Sequence, residues 1–298
     1  MPLNLPKTMQ LLLSLVAISL ASSASYAAIL PEAAVEIKIP LAKKSSTRPM
    51  TIAYVPTFQR YYIADGGLAP MPGNFDVTTS PSEIHSYDVK GQYIQSAQPG
   101  YDNRSIYYNT NSKKLESVTY NVSSDAGFLP NTGIFSIALN DKGDVTGKSD
   151  DVFGYNPAFG DAATMPTYNP ETQQYYAKQE RSNKVFVVDL ASREKVSEIL
   201  LDLTAAKVAF DDLTDHYVAF TGVKGEELAM LDVDHKAVVI FDLTGKYIGK
   251  SELPKTMKLR AQNHLNGLGF TNGLMFVFHE PEGEFGTYYG FKVNEPNQ

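Results

Sequence analysis

The stretch that decides the fold is Val238-Val239-Ile240-Phe241-Asp242-Leu243-Thr244-Gly245-Lys246. Three β-branched residues and a Phe favour extended backbone. The Asp that follows, with a Gly three residues later, is turn chemistry, and the chain then opens a second strand. The same arrangement occurs upstream as Tyr87-Asp88-Val89-Lys90-Gly91 and Leu139-Asn140-Asp141-Lys142-Gly143, and without the Gly as Val188-Asp189-Leu190. Positions 88, 140, 189 and 242 are separated by 52, 49 and 53 residues, and Phe291, within the apolar run Tyr288–Val293, stands 50 residues after Phe241. The chain is a repeat with a period near 50.

A second anchor lies between the copies of the first. An aromatic residue, a polar turn and a bulky residue seven positions on recur as Tyr54 to Tyr61, Tyr108 to Leu115, Tyr168 to Tyr175 and Phe210 to Tyr217, with a shortened copy at Phe270-Thr271-Asn272-Gly273-Leu274. Each unit therefore reads strand, turn, strand, loop, strand, turn, strand. One such four-stranded meander buries too little to stand alone, and radial stacking of several sheets solves this. The fold class expected is all-β, a single β-propeller. The fifth unit stops at Val293 after its third strand, while Val35-Glu36-Ile37-Lys38-Ile39-Pro40-Leu41 is an orphan alternating strand ahead of the first complete unit. If that strand completes the last sheet, the ring closes with five four-stranded blades. Six blades are the alternative if residues 150–165 or 222–235 hide strands.

Val185-Phe186-Val187-Val188-Asp189-Leu190 and Val238 to Lys246 resemble the strand-turn-strand signatures of YncE-like and NHL-like β-propeller repeats. The resemblance covers most of the chain but only at the level of strand and turn residues. It implies the fold and little function, because that superfamily includes enzymes, binders and assembly scaffolds.

Composition agrees with the class. The chain has 18 Tyr and 15 Phe, and no stretch of ten or more residues shows helical apolar spacing. Residues 200–210 and 226–232 have room for a helical turn or two. The amino-terminal residues carry one Lys, the apolar run Leu11 to Leu20, and small residues ending Ser25-Tyr26-Ala27. This pattern is a secretory signal peptide, 1–27, with cleavage expected after Ala27 and residues 28–298 forming one domain. The run is too short to span a membrane. The product is expected in the periplasm or secreted, without membrane insertion. With no Cys, the domain does without disulfides, and 26 Lys plus Arg against 33 Asp plus Glu, with no basic run, exclude a nucleic-acid partner.

In a propeller, the loops entering each first strand share a face with the loops joining second and third strands, and ligands bind there. By the strand count above, that face carries Asp65, Asp102, Asn103, Arg104, Asn121, Glu180, Arg181, Lys207, His264, Asn266, His279 and Glu280, with Thr51, Thr164 and Thr221 beside them. Three long segments fall on the same face: 66–82; 149–166, with Phe153, Tyr155 and Phe159; and 222–236. Exposed aromatics in the second would stack on sugars or a partner; the alternative is that they tuck inward and cover a sheet edge. The reading the residues support is an exported propeller that binds a small molecule, glycan or protein on this face. Rival readings are a metal-dependent hydrolase or lactonase using His264, His279 and Glu280, a glycosidase using a pair among Asp65, Glu180 and Glu280, and an assembly scaffold. Whether the chain is an enzyme stays open. No cofactor is expected beyond a divalent metal under the hydrolase reading. Asp232-Val233-Asp234-His235 lacks the Gly and downstream Glu of a calcium loop and reads as a turn. Nucleophile elbows, phosphate loops and dinucleotide fingerprints are absent. Sequons stand at Asn103-Arg104-Ser105 and Asn121-Val122-Ser123.

Overall fold

A computed structural model describes residues 29–44, 48–66, 82–99, 103–121, 131–265, 268–281 and 284–295. The expected signal peptide, Asp102, Asn266 and most of the segment 66–82 lie outside the described residues, as does the side chain of Asn121. The chain starts with β1 (Ile29–Pro40) and continues into a sheet of β2 (Arg48–Val55), β3 (Arg60–Gly66), β4 (Glu83–Asp88) and β5 (Tyr93–Ala97). A second four-stranded sheet holds β6 (Asn103–Asn109), β7 (Lys114–Asn121), β8 (Asn131–Leu139) and β9 (Val145–Tyr155). The third holds β10 (Thr167–Asn169), β11 (Gln174–Lys178), β12 (Lys184–Asp189) and β13 (Lys195–Leu200). After the short helix α1 (Leu203–Ala206) come β14 (Ala219–Phe220), β15 (Leu228–Asp232), β16 (Ala237–Phe241) and β17 (Tyr247–Glu252), then β18 (Leu268–Thr271), β19 (Leu274–His279) and β20 (Thr287–Asn294).

These last strands form an eight-stranded sheet in the order β14-β15-β16-β17-β1-β20-β19-β18. It is two meanders joined at one parallel pairing, Glu32 with Glu252. The orphan strand of the sequence lies antiparallel to β20, from Ala34 opposite Lys292 to Pro40 opposite Thr287. The first strands of the units follow one another in contact: β2 touches β6, β6 touches β10, β10 touches β14, β14 touches β18, and β18 touches β2.

This radial arrangement explains the residue pattern. An inner strand is covered by a neighbouring sheet on each face, so it reads as a continuous apolar run. Every residue of β15 and β16 is buried, whereas β13 and β17 at the rim bury only one residue each. One interleaf core packs Ile39, Ile52, Ile63, Phe276 and Tyr288 between the first sheet and the β18–β20 strands. Another packs Tyr176, Val185, Val187, Leu228, Met230 and Phe241 between the third sheet and the β14–β17 strands. The innermost strands are sheet edges with free N–H groups that need partners. Thr hydroxyls on neighbouring sheets supply them: Thr51 Oγ1 accepts from Ile106 N at 2.6 Å, Thr271 Oγ1 from Tyr54 N at 2.9 Å, and Thr167 Oγ1 from Phe220 N at 3.3 Å.

The repeated turn is built by local chemistry. Oδ1 of Asp88 accepts from the N–H groups of Lys90 and Gln92, that of Asn140 from Lys142 and Asp144, and that of Asp242 from Thr244 and Lys246. Gly91, Gly143 and Gly245 follow at φ of 77°, 80° and 84°, a backbone region that costs other residues energy. At Asp189 the turn is one residue longer, and Arg193 takes the left-handed position at φ 59°.

Two expectations are corrected, and for the aromatics of 149–166 the inward alternative holds. Phe210–Asp212 is a 3₁₀ turn capped by Asp212 Oδ2 on Ala209 N (2.8 Å), not the end of a first strand. The hairpin of that unit lies further on, with its turn at Thr221–Glu227 and β15 inside the segment 222–236 that reads as a loop. Thr221 thus belongs to the turn face opposite the expected site, where its Oγ1 donates to Glu226 O at 2.7 Å. The aromatics of 149–166 mostly tuck inward: Phe153 and Phe159 are buried with centroids 4.8 Å apart and both pack on Tyr175, while Tyr155, more exposed, packs on Phe135. Asp232 to His235 is a turn as expected, with Asp232 Oδ1 accepting from His235 N at 3.0 Å. No described helix is long and apolar enough to cross a membrane.

Candidate functional site

The face formed by the ends of second strands and the entries to first strands carries two clusters of ionisable groups. The first belongs to one sheet. Asp65 on β3 pairs in register with Glu83 on β4, and Ile63 with His85, so Asp65, Glu83 and His85 share one face of the sheet. His85 Nε2 lies 3.5 Å from Asp65 Oδ2, and its Nδ1 is 2.6 Å from Ser96 Oγ. Glu83 reaches outward to Lys43 at 2.7 Å. Asp65 and His85 are both buried, and Ser82 Oγ ties the Asp65 carbonyl to the next sheet through Asn103.

The second cluster straddles the third and fourth units. Lys178 ends β11 with its side chain 1% exposed, and Nζ donates to the carbonyls of Gln179 (2.7 Å) and Asp215 (3.1 Å) and lies 3.7 Å from Asp215 Oδ1. Asp215 Oδ1 also accepts from Arg181 N at 2.6 Å, and Asp215 N donates to His264 O at 2.6 Å. Glu180 is exposed, and its N–H donates to Asp161 Oδ2 at 2.7 Å. His216 accepts at its carbonyl from Met165 N, while its Nδ1 is buried without a partner among the described residues. Burial disfavours the charged forms here. It pulls the Lys178 ammonium down to about 8 against the opposing pull of Asp215. It also lowers the His216 imidazolium, against Asp215 and Glu180 and aided by the Arg104 and Lys178 charges.

Beside this cluster an open cleft of about 530 Å³ is lined by Arg181, Ser182, Asn183, Leu200 to Thr204 and Phe210. Leu200 and Phe210 are 52% and 43% exposed, and the Arg181 guanidinium has no ion pair among the described residues. The Asp202 carboxylate, which also lines the cleft, caps α1 through Ala205 N.

Of the residues expected from sequence, Glu180, Arg181 and Arg104 meet at the second cluster and Asp65 at the first. The others have separate placements. Asn103 is buried, donating Nδ2 to Ser82 Oγ and accepting from Ser117 Oγ, so its sequon is closed in the folded chain. Lys207 is exposed and takes the left-handed cap of α1 at φ 57°. His264 faces Asp234 at 3.3 Å. His279 Nε2 accepts from Lys258 N at 3.3 Å, and Glu280 lies 3.5 Å from Arg260 and accepts from Gln262. Asn121 ends β7 with its backbone paired to Asn131.

Sequence reading missed Lys178, Asp215, His216, Glu83 and His85. Asp215 and His216 were hidden by the displaced hairpin. Lys178 and His85 did leave a signal: each is a polar group in or at the end of an apolar inner strand, Tyr175-Tyr176-Ala177-Lys178 and Ile84-His85-Ser86-Tyr87, where neighbouring sheets cover both faces.

Comparison with solved structures supports the fold. The chain matches the glutaminyl cyclase of Myxococcus xanthus with a TM-score of 0.51 and 9% identity, over 90% of this chain and 98% of that one. It is also similar to the β-propeller domain of Cps50 (Swd1) from Myceliophteria thermophila, with a TM-score of 0.40 and 10% identity over 91% and 97% of the two chains. A third similar structure is the periplasmic gluconolactonase of Pseudomonas aeruginosa, with a TM-score of 0.40 and 12% identity over 79% and 69%. The ring of four-stranded meanders itself is β-propeller-like, as the repeats imply. No family model matches the sequence. No curated protein matches it either.

Proposed function

We propose that the chain is an exported five-bladed propeller that binds a small amphipathic anion on its loop-rich face. The blade count is supported by the chain of contacts among the five first strands and by the pairing of β1 with β20. Export is supported by the signal-peptide pattern, and cleavage after Ala27 would leave β1, from Ile29, intact. The observation that carries the binding reading is the cleft beside the second cluster, lined by Arg181, which has no ion pair among the described residues, together with the exposed Leu200 and Phe210. Arg181 suits a carboxylate or phosphate as a bidentate donor, and Leu200 and Phe210 suit an apolar body. The hydrolase reading has less support, because His264, His279 and Glu280 each bond to different neighbours.

The test is a thermal-shift and calorimetric screen of organic acids, acyl amino acids and sugar acids, run in EDTA. The expected result is a ligand whose affinity falls about 10-fold or more in Arg181→Gln, the cost of one lost charge-assisted pair. A ligand that binds equally well to Arg181→Gln and Phe210→Ala would overturn this placement.

A further inference from the structure

We infer that Glu180, Asp215 and His216 form a binding site for a divalent transition metal at the junction of the third and fourth units. The inference goes beyond the cleft and does not depend on it. One donor atom from each of the three residues lies within 4.8 Å of the others. Ligands at about 2.1 Å from a tetrahedral zinc are about 3.4 Å apart, so closing the shell needs the donors to draw together by at most about 1.4 Å. Exposed Glu180 is free to make that shift.

The donor chemistry selects the class of ion. One imidazole with two carboxylates suits zinc or manganese, whereas calcium takes six or more oxygens. The Nδ1 of His216 is a buried polar atom with no partner among the described residues, a cost that ligation to an ion would remove. Asp215 is already oriented by Arg181 N and Lys178 Nζ, the kind of outer support that metal-binding carboxylates have. The Lys178 ammonium, 3.7 Å from Asp215 Oδ1, would share that carboxylate with the ion. The other His–carboxylate cluster lacks this openness: both His85 nitrogens are engaged, and Glu83 is paired with Lys43.

The experiment uses the full mature chain, stripped with EDTA and titrated with ZnCl₂ and MnCl₂ by calorimetry, with CoCl₂ absorption as a reporter of ligand type. We expect one equivalent to bind, with affinity falling about 10-fold or more in Glu180→Gln and in His216→Asn, as loss of a metal-binding group does. Glu180 is exposed, so the Glu180→Gln melting curve should match the parent and exclude a folding defect. No binding by the parent chain, or undiminished binding by the Glu180→Gln, His216→Asn double variant, would overturn the site. Because the cleft screen is run in EDTA, a ligand found there with no metal bound here would sink only this inference. Metal binding without any ligand would sink only the cleft.

Discussion

The two His–carboxylate clusters use the same residue types and differ in what surrounds them. Asp65, Glu83 and His85 lie on adjacent strands of one sheet, so strand register fixes their spacing, and each polar atom named above has a partner. Glu180, Asp215 and His216 come from two units, on a loop and an entering segment that have no ladder between them. Their geometry is set by tertiary contacts, chiefly the Lys178 bridge. The first cluster locks a sheet; the second leaves donors over. A group bound by register has little left for a ligand.

The largest effect that would break this contrast concerns Asp65. Asp65→Ala leaves His85 buried without its acid and should destabilise the fold by about 3 kcal/mol, the cost of orphaning one partner of a buried pair. Urea unfolding would measure it. A loss under about 0.5 kcal/mol would mean the first cluster is no more structural than an exposed pair.

Lys178 comes next, and its effect depends on pH. Its folded value, about 8, is below the ordinary 10.5, so between these values the unfolded chain holds a proton that the folded chain does not. Stability from this group therefore rises with pH across that window, by on the order of 3 kcal/mol in full. Lys178→Met removes the bridge and the dependence together, so its deficit against the parent should widen from pH 7.5 to about 9.5. Tyrosines oppose the trend above pH 10: burial raises Tyr62 and Tyr87 to about 12, so the folded chain keeps protons that the unfolded chain loses. The comparison must therefore be the difference between parent and variant. Parallel stability curves would show that Lys178 is not buried as a charge.

What was legible in the sequence follows the same division between local and tertiary causes. The Asp or Asn with its following Gly was readable because one side chain and two or three N–H groups within five residues build the turn. The place of β1 was readable from an unmatched alternating strand. The fourth unit was misread because β14 holds only Ala219 and Phe220 in its ladder, while Phe210 to Tyr217 offers stronger turn chemistry. Phe153 and Phe159 looked available because their burial comes from Tyr175 on another sheet. The second cluster could not be read at all from spacing, since Glu180 and His216 meet only when two sheets pack.

His216 gives a smaller effect in acid. Its folded value lies below the ordinary 6.5, so the unfolded chain binds the proton first and stability falls as pH drops below 6.5. His279, lowered by burial, acts in the same sense, while Glu226 and Asp232, raised by burial, act in the opposite one. In His216→Asn, measured against the parent by thermal unfolding from pH 7.5 to 5, the acid-side loss should be shallower. Identical slopes would show that the imidazole is solvated and its Nδ1 satisfied.

The smallest stability effect is the most informative. Glu180→Gln removes a carboxylate, as Asp65→Ala does, yet Glu180 is exposed and only its N–H bonds to Asp161, an interaction the substitution keeps. Stability should change by less than about 0.5 kcal/mol, as for surface substitutions in general. If the second cluster is held open for an ion, the same change should lower zinc or manganese affinity by about 10-fold or more. A side chain whose removal is silent in unfolding and costly in binding is one the fold does not need. A loss of stability comparable to that of Asp65→Ala would instead put both clusters in one structural class, and the contrast between register and tertiary placement would fail.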